Sequence, residues 1–188
     1  MADDRYELLT LIGKGSTSTV YRARRRSDGQ VFAYKLVRLA GFSCEQRAEL
    51  LNEVDVMSRV RHPNVVAYEE SMVHSDTLHI VMELLPGGDL AREIESRAAP
   101  EAATGADGGG SAGAAAARPA RHLEEETMWS IMVQLCEALQ HIHARRVLHR
   151  DIKAENIFCD GAGVYKIGDL GLGRLLATQS SHARTGVG

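Results

Sequence analysis

Lys35 lies inside the apolar run Val31-Phe32-Ala33-Tyr34-Lys35-Leu36-Val37, and it restricts the fold more than any other single residue. The run reads as a strand, and an ammonium group within such a strand is costly unless a carboxylate meets it. Another element must therefore bring an acidic side chain to this one. The next segment supplies candidates. Ser43 and Gln46 have the spacing of a capping box, and Leu50, Val54, Met57 and Val60 follow at helical intervals. This helix carries Glu49, Glu53 and Asp55. A purely solvated acidic face would explain the three charges but not the lysine.

Four more segments carry chemistry. In His149-Arg150-Asp151-Ile152-Lys153-Ala154-Glu155-Asn156 a candidate base, a cation able to meet phosphate and a metal-binding amide share one short stretch. The alternating run Val164-Tyr165-Lys166-Ile167 reads as a short strand that delivers Asp169 into a bend permitted by Gly168 and Gly171. Upstream, Ile12-Gly13-Lys14-Gly15-Ser16-Thr17-Ser18-Thr19-Val20 reads as a glycine-containing hairpin whose backbone can approach a ligand. The strand Leu78–Met82 runs through Glu83, Leu84 and Leu85 into the bend Pro86-Gly87-Gly88. Each pattern alone is also that of an ordinary turn; their order is what carries weight.

In that order they resemble the eukaryotic protein kinases. The stretches Met82–Leu90, His149–Phe158 and Gly168–Arg174 are most similar to the NIMA-related serine/threonine kinases. The resemblance implies an α+β, bilobal fold: a small β-rich lobe over residues 1–84, a connecting hinge and first large-lobe helix over 85–96, and a partial large lobe over 122–188. It implies ATP and Mg2+ as cofactors and a protein with a serine or threonine acceptor as partner. Asp151 is then the catalytic base, Lys153 its phosphate-binding companion, and Lys35 a phosphate contact paired with Glu53. Asn156 and Asp169 are the metal ligands. Gly13, Lys14, Gly15 and Ser16 cover the phosphates, and Ile12, Val20, Ala33 and Phe158 enclose the base beside Met82, with Glu83, Leu84 and Leu85 as the hinge. Arg150 and Thr185 are the regulatory pair, Thr185 being the hydroxyl whose phosphate Arg150 would bind.

Departures from the family pattern are Leu170 where phenylalanine is usual and Ser18 where a third glycine is usual. Lys153 separates this loop from those of tyrosine kinases, and Leu172 implies a preference for serine acceptors. The chain ends at Gly188, inside what the resemblance makes the activation segment. Two readings follow: part of an active kinase, or a nucleotide-binding or scaffolding fragment without turnover.

Residues 97–121 interrupt the globular pattern with Ala, Gly and Pro and almost no large apolar side chain, the composition of a flexible insert. Beyond it, Met128, Ile131, Met132, Leu135, Leu139 and Ile142 describe a long amphipathic helix, with Trp129 expected as a packing anchor. A net charge of −3 gives no sign of nucleic-acid or anionic-membrane binding. Arg22, Arg24, Arg25 and Arg26 read as a solvated hairpin edge. Cys44, Cys136 and Cys159 have no metal-site spacing and are expected as reduced thiols. No secretory signal is apparent, and a cytoplasmic location is expected, with cytoskeletal association as what the resemblance adds.

Overall fold

The computed structural model describes residues 4–15, 17–98 and 122–169. Strands β1 (Tyr6–Lys14), β2 (Ser18–Arg25) and β3 (Val31–Arg38) form successive hairpins, and helix α1 (Cys44–Ser58) leads to β4 (Tyr68–His74) and β5 (Thr77–Glu83). The five strands make an antiparallel sheet in the order β1-β2-β3-β5-β4, so β3 and β5 lie inside it. Burial follows that order. Phe32, Ala33, Tyr34, Lys35 and Val37 of β3 and Leu78, His79, Ile80 and Val81 of β5 are all buried. The fold is α+β.

Helix α1 begins as its capping box predicts, with Ser43 Oγ accepting from Gln46 N at 3.2 Å and Gln46 Oε1 accepting from Ser43 N at 2.9 Å. Its buried residues Leu50 and Val54 pack with Val37, Leu39, Phe42, Tyr68, Leu78 and Ile80. The helix is thereby laid against the sheet that carries Lys35. The edges of the sheet are tied together at one end: Arg5 bridges Glu70 at 2.8 Å and Tyr6 Oη donates to Glu70 at 2.5 Å. Arg25 is no solvated edge residue, since it bridges Asp28 at 2.6 Å and Glu69 at 2.5 Å and lies over the Phe32 ring.

After β5 come α2 (Leu90–Ala98), α3 (Glu125–Ala144), a 3₁₀ turn (Ala154–Asn156) and the hairpin of β6 (Ile157–Cys159) with β7 (Tyr165–Ile167). Ile131, Leu135, Ala138 and Ile142 of α3 join Ile157, Tyr165 and Ile167 in a second core. Trp129 is a correction to the expected anchor: it is 65% exposed, with Met128 and Met132 also exposed. Apolar residues surround much of α3, and among the described residues its buried ones share a core with Val60, Val65, Leu90, β6 and β7. No helix among the described residues is long and apolar enough to cross a membrane.

Candidate active site

β3 and β7 bring the two charges of the site together. Lys35 Nζ lies 2.5 Å from Asp169 Oδ1, with the lysine side chain 6% exposed and the carboxylate 30%. The burial cost of the ammonium is thus offset by a carboxylate, as the strand requires. The partner differs from the expected one. Glu53 faces Arg150 instead, with Oε1 3.5 Å from Nη1. Sequence spacing could place Glu53 beside the apolar face of α1, but which cation meets it depends on how α1 and the 149–151 segment pack, which no local pattern encodes.

The segment 149–156 is held from several sides. His149 is buried, its Nε2–H donating to the Gly168 carbonyl at 2.7 Å while Nδ1 accepts from Asp151 N at 3.3 Å. Burial pulls its pKa below the ordinary imidazole value, outweighing the Gly168 bond and the charges of Asp151 and Asp169. Asp151 accepts from Asn156 Nδ2 at 2.9 Å and lies 3.0 Å from Lys153 Nζ. Burial pushes the Asp151 carboxyl up, but hydrogen bonds from Lys153 and Asn156, with the Lys153 charge, hold it below the usual range. It is therefore ionised at neutral pH. Arg150 and Asp169 both adopt positive φ, 65° and 52°, a conformation that costs a non-glycine residue energy and that the surrounding bonds must sustain.

Asn156 spends its amide protons on the backbone and side chain of Asp151, at 2.8 and 2.9 Å. Its amide oxygen is thereby turned away from Asp151, and an amide oxygen with the Asp169 carboxylate is a donor set that suits a hard cation. Among the described residues no group of three or more His, Cys, Asp or Glu converges. Two protein ligands suffice for Mg2+ when substrate phosphates supply others.

The apolar candidates sit close by in register. Val20 pairs with Lys35 and Gly13 with Val20, while Ala33 pairs with Met82. Gly15 N donates to Ser18 O at 2.8 Å and closes the β1–β2 turn, of which Ile12 and Lys14 are exposed flanks. Ser16 lies outside the described residues, as do Leu170, Leu172 and Thr185. Glu83, Leu84 and Leu85 are half-buried, and the bend after them docks on β6: Gly87 N donates to Cys159 O and Cys159 N to Gly88 O, both at 2.9 Å. A bridge pairs Asp89 with Phe158. Phe158 fills the space in front of Gly168, where a Cβ would come within 2.7 Å of its ring.

Sequence reasoning overlooked Gln134 and Lys166. Gln134 Oε1 accepts from Asn64 Nδ2 and from Tyr165 N, both at 2.8 Å, joining α3 to β7 and to the segment after α1. Lys166 reaches Glu83 at 2.6 Å. The only advance signal for Lys166 was its place between two inward residues of a short strand.

The protein kinase domain family matches residues 6–188. A protein of Mus musculus named Serine/threonine-protein kinase Nek1 is 32% identical over 185 residues, covering 98% of this chain and 14% of that protein. The Homo sapiens Serine/threonine-protein kinase Nek2 is 34% identical over 190 residues, covering 97% of this chain and 38% of its own length. For the Dictyostelium discoideum Probable serine/threonine-protein kinase nek2 the identity is 33% over 190 residues, with 98% and 41% covered. The chain spans less than half the length of these relatives.

Proposed function

The chain belongs to the protein kinase family, and we propose that it binds Mg-ATP and transfers the γ-phosphate to a serine or threonine hydroxyl of a protein. The observation that supports this most is the placement of an ionised Asp151, bridged to Lys153 and Asn156, on the segment whose His149 is bonded to the residue before Asp169. Asp151 accepts the proton of the acceptor hydroxyl as that oxygen bonds to the γ-phosphorus and the bond to the β-phosphate oxygen breaks, releasing ADP, and Lys153 meets charge on the moving phosphoryl group. Lys35 contacts the nucleotide phosphates, and Mg2+, held by Asn156 and Asp169, would neutralise the remaining phosphate charge. Val20, Ala33 and Phe158 enclose the base, with Met82 and residues 83–85 along its edge.

Control follows from Arg150. A phosphate on Thr185 would offer this guanidinium a stronger partner than Glu53 at 3.5 Å, and Glu53 would then be released toward Lys35. Leu172 supports a preference for serine over threonine. The cytoplasm, with attachment to the cytoskeleton, is the location we propose from the family resemblance alone.

Phosphate transfer from radiolabelled ATP to paired serine and threonine peptides tests the reading. Asp151→Asn should lower transfer at least about 100-fold while leaving nucleotide affinity within about threefold, since it removes the base and no phosphate contact. Nucleotide binding with no transfer in the unsubstituted chain would favour a non-catalytic binding fragment.

A further inference from the structure

Behind the proposed nucleotide slot, Glu83 and Lys166 form an ion pair of 2.6 Å, with side chains 30% and 16% exposed. Glu83 is the last residue of β5 and Lys166 lies three positions before Asp169 on β7, so the pair joins the edge where the base is expected to the strand that carries the candidate metal ligand. Both ends are fastened further. Glu83 N donates to Ala67 O at 2.8 Å, and Ala67 N donates to Glu83 Oε2 at 3.1 Å. The same segment runs parallel to β7: Ile167 N donates to Asn64 O and Val66 N to Ile167 O, both at 2.9 Å. Hydrogen bonds at both ends of the backbone segment 64–67 therefore tie Glu83 to Ile167, next to Gly168 and Asp169. The Glu83–Lys166 pair closes that link into a ring.

We infer that the Glu83–Lys166 pair is a positioning device that fixes the spacing between the 83–85 connection and Asp169 and thereby sets how long a nucleotide diphosphate or triphosphate is retained. This rests on the nucleotide reading proposed above. A slot whose two anchoring ends are held at one spacing loses less freedom when ligand binds, and the gain appears chiefly in the off-rate. Neither side chain need touch the ligand. A partly buried pair with a backbone N–H on the second carboxylate oxygen is better placed to act this way than the exposed surface pairs of the chain, such as Arg59–Asp55.

Stopped-flow release of a fluorescent N-methylanthraniloyl-ADP from the 188-residue chain tests it. Lys166→Met and Glu83→Gln should each raise the off-rate about fivefold, the double variant should raise it no further, and the exchanged pair Glu83→Lys/Lys166→Glu should recover most of the loss. Hydrogen exchange on the nucleotide-free protein should quicken in Lys166→Met at residues 64–67 and 167–169 and stay unchanged in the β1–β2 hairpin. Off-rates within twofold of the unsubstituted chain, or additive effects of the two single changes, would overturn the inference while leaving the nucleotide reading standing. A chain that binds no analogue at millimolar concentration would overturn that reading, and the retaining role with it.

Discussion

His149 can hold its two bonds with one proton arrangement only. A carbonyl oxygen accepts, so the nitrogen facing Gly168 carries the proton; the nitrogen facing Asp151 N must keep its lone pair. The neutral ring is what the fold uses, and burial depresses the pKa accordingly. In the unfolded chain histidine takes up a proton near pH 6.5, as an unperturbed imidazole does. Between that pH and the lower folded value the unfolded state binds more protons, so stability rises with pH there and is lost as pH falls below about 6.5. Melting temperatures from pH 7.5 to 5.5 should show this loss. His149→Phe should melt lower than the parent at pH 7.5 yet lose less on acidification, the remaining slope including His141, whose pKa burial and the charges of Arg145 and His62 also pull down. Equal slopes in the two proteins would remove His149 from the account.

At the scale of elements, the junctions between strands and helices decide how firmly the site is held. Ser43→Ala removes one bond of the α1 capping box and should cost about 1 kcal/mol in urea denaturation. Gly87→Ala should cost more, because a Cβ there would lie 2.6 Å from Cys159 O and 2.8 Å from Gly161 N, against backbone that cannot swing aside. A smaller loss for Gly87→Ala than for Ser43→Ala would mean that the bend can leave β6 at little cost. The contrast also marks what a sequence discloses. The capping box, the β1–β2 hairpin and the apolar run of β3 follow from residues near one another in the chain, and they were legible. Trp129 was misjudged because helical periodicity gives an apolar stripe without saying which part of it a neighbour covers. Lys35 demanded a carboxylate, yet the choice of Asp169 over Glu53, like the Glu83–Lys166 and Gln134–Asn64 contacts, is made by packing between segments far apart in sequence.

At the scale of the molecule, three ion pairs among the described residues link the five-stranded sheet and α1 to the segments after α3: Lys35–Asp169, Arg150–Glu53 and Lys166–Glu83. They are unequal. The first is short and buried at its lysine; the second is 3.5 Å long with Arg150 46% exposed, in the range where an ion pair contributes between nothing and about 1 kcal/mol. Binding of Mg-ATP would draw Asp169 toward the cation and Lys35 toward phosphate, so the buried lysine would need a second carboxylate, and Glu53 on the adjoining helix is the one the sequence reading proposes. Glu53, 3.5 Å from Arg150 in the nucleotide-free molecule, would thus take Lys35 as a partner in the loaded one. Loss of the Arg150 pair in Glu53→Gln should by itself shift the melting temperature of the free protein by about 3 °C or less, the change that about 1 kcal/mol gives for a chain of this size. The further rise in melting temperature on adding a non-hydrolysable Mg-ATP analogue should fall to half or less of that seen with the unsubstituted chain, because stabilisation by ligand tracks its affinity for the folded state. A Glu53→Gln protein that melts far below the parent without nucleotide, yet gains as much from the analogue, would show that Glu53 serves the fold through Arg150 and takes no part in exchanging partners with Lys35.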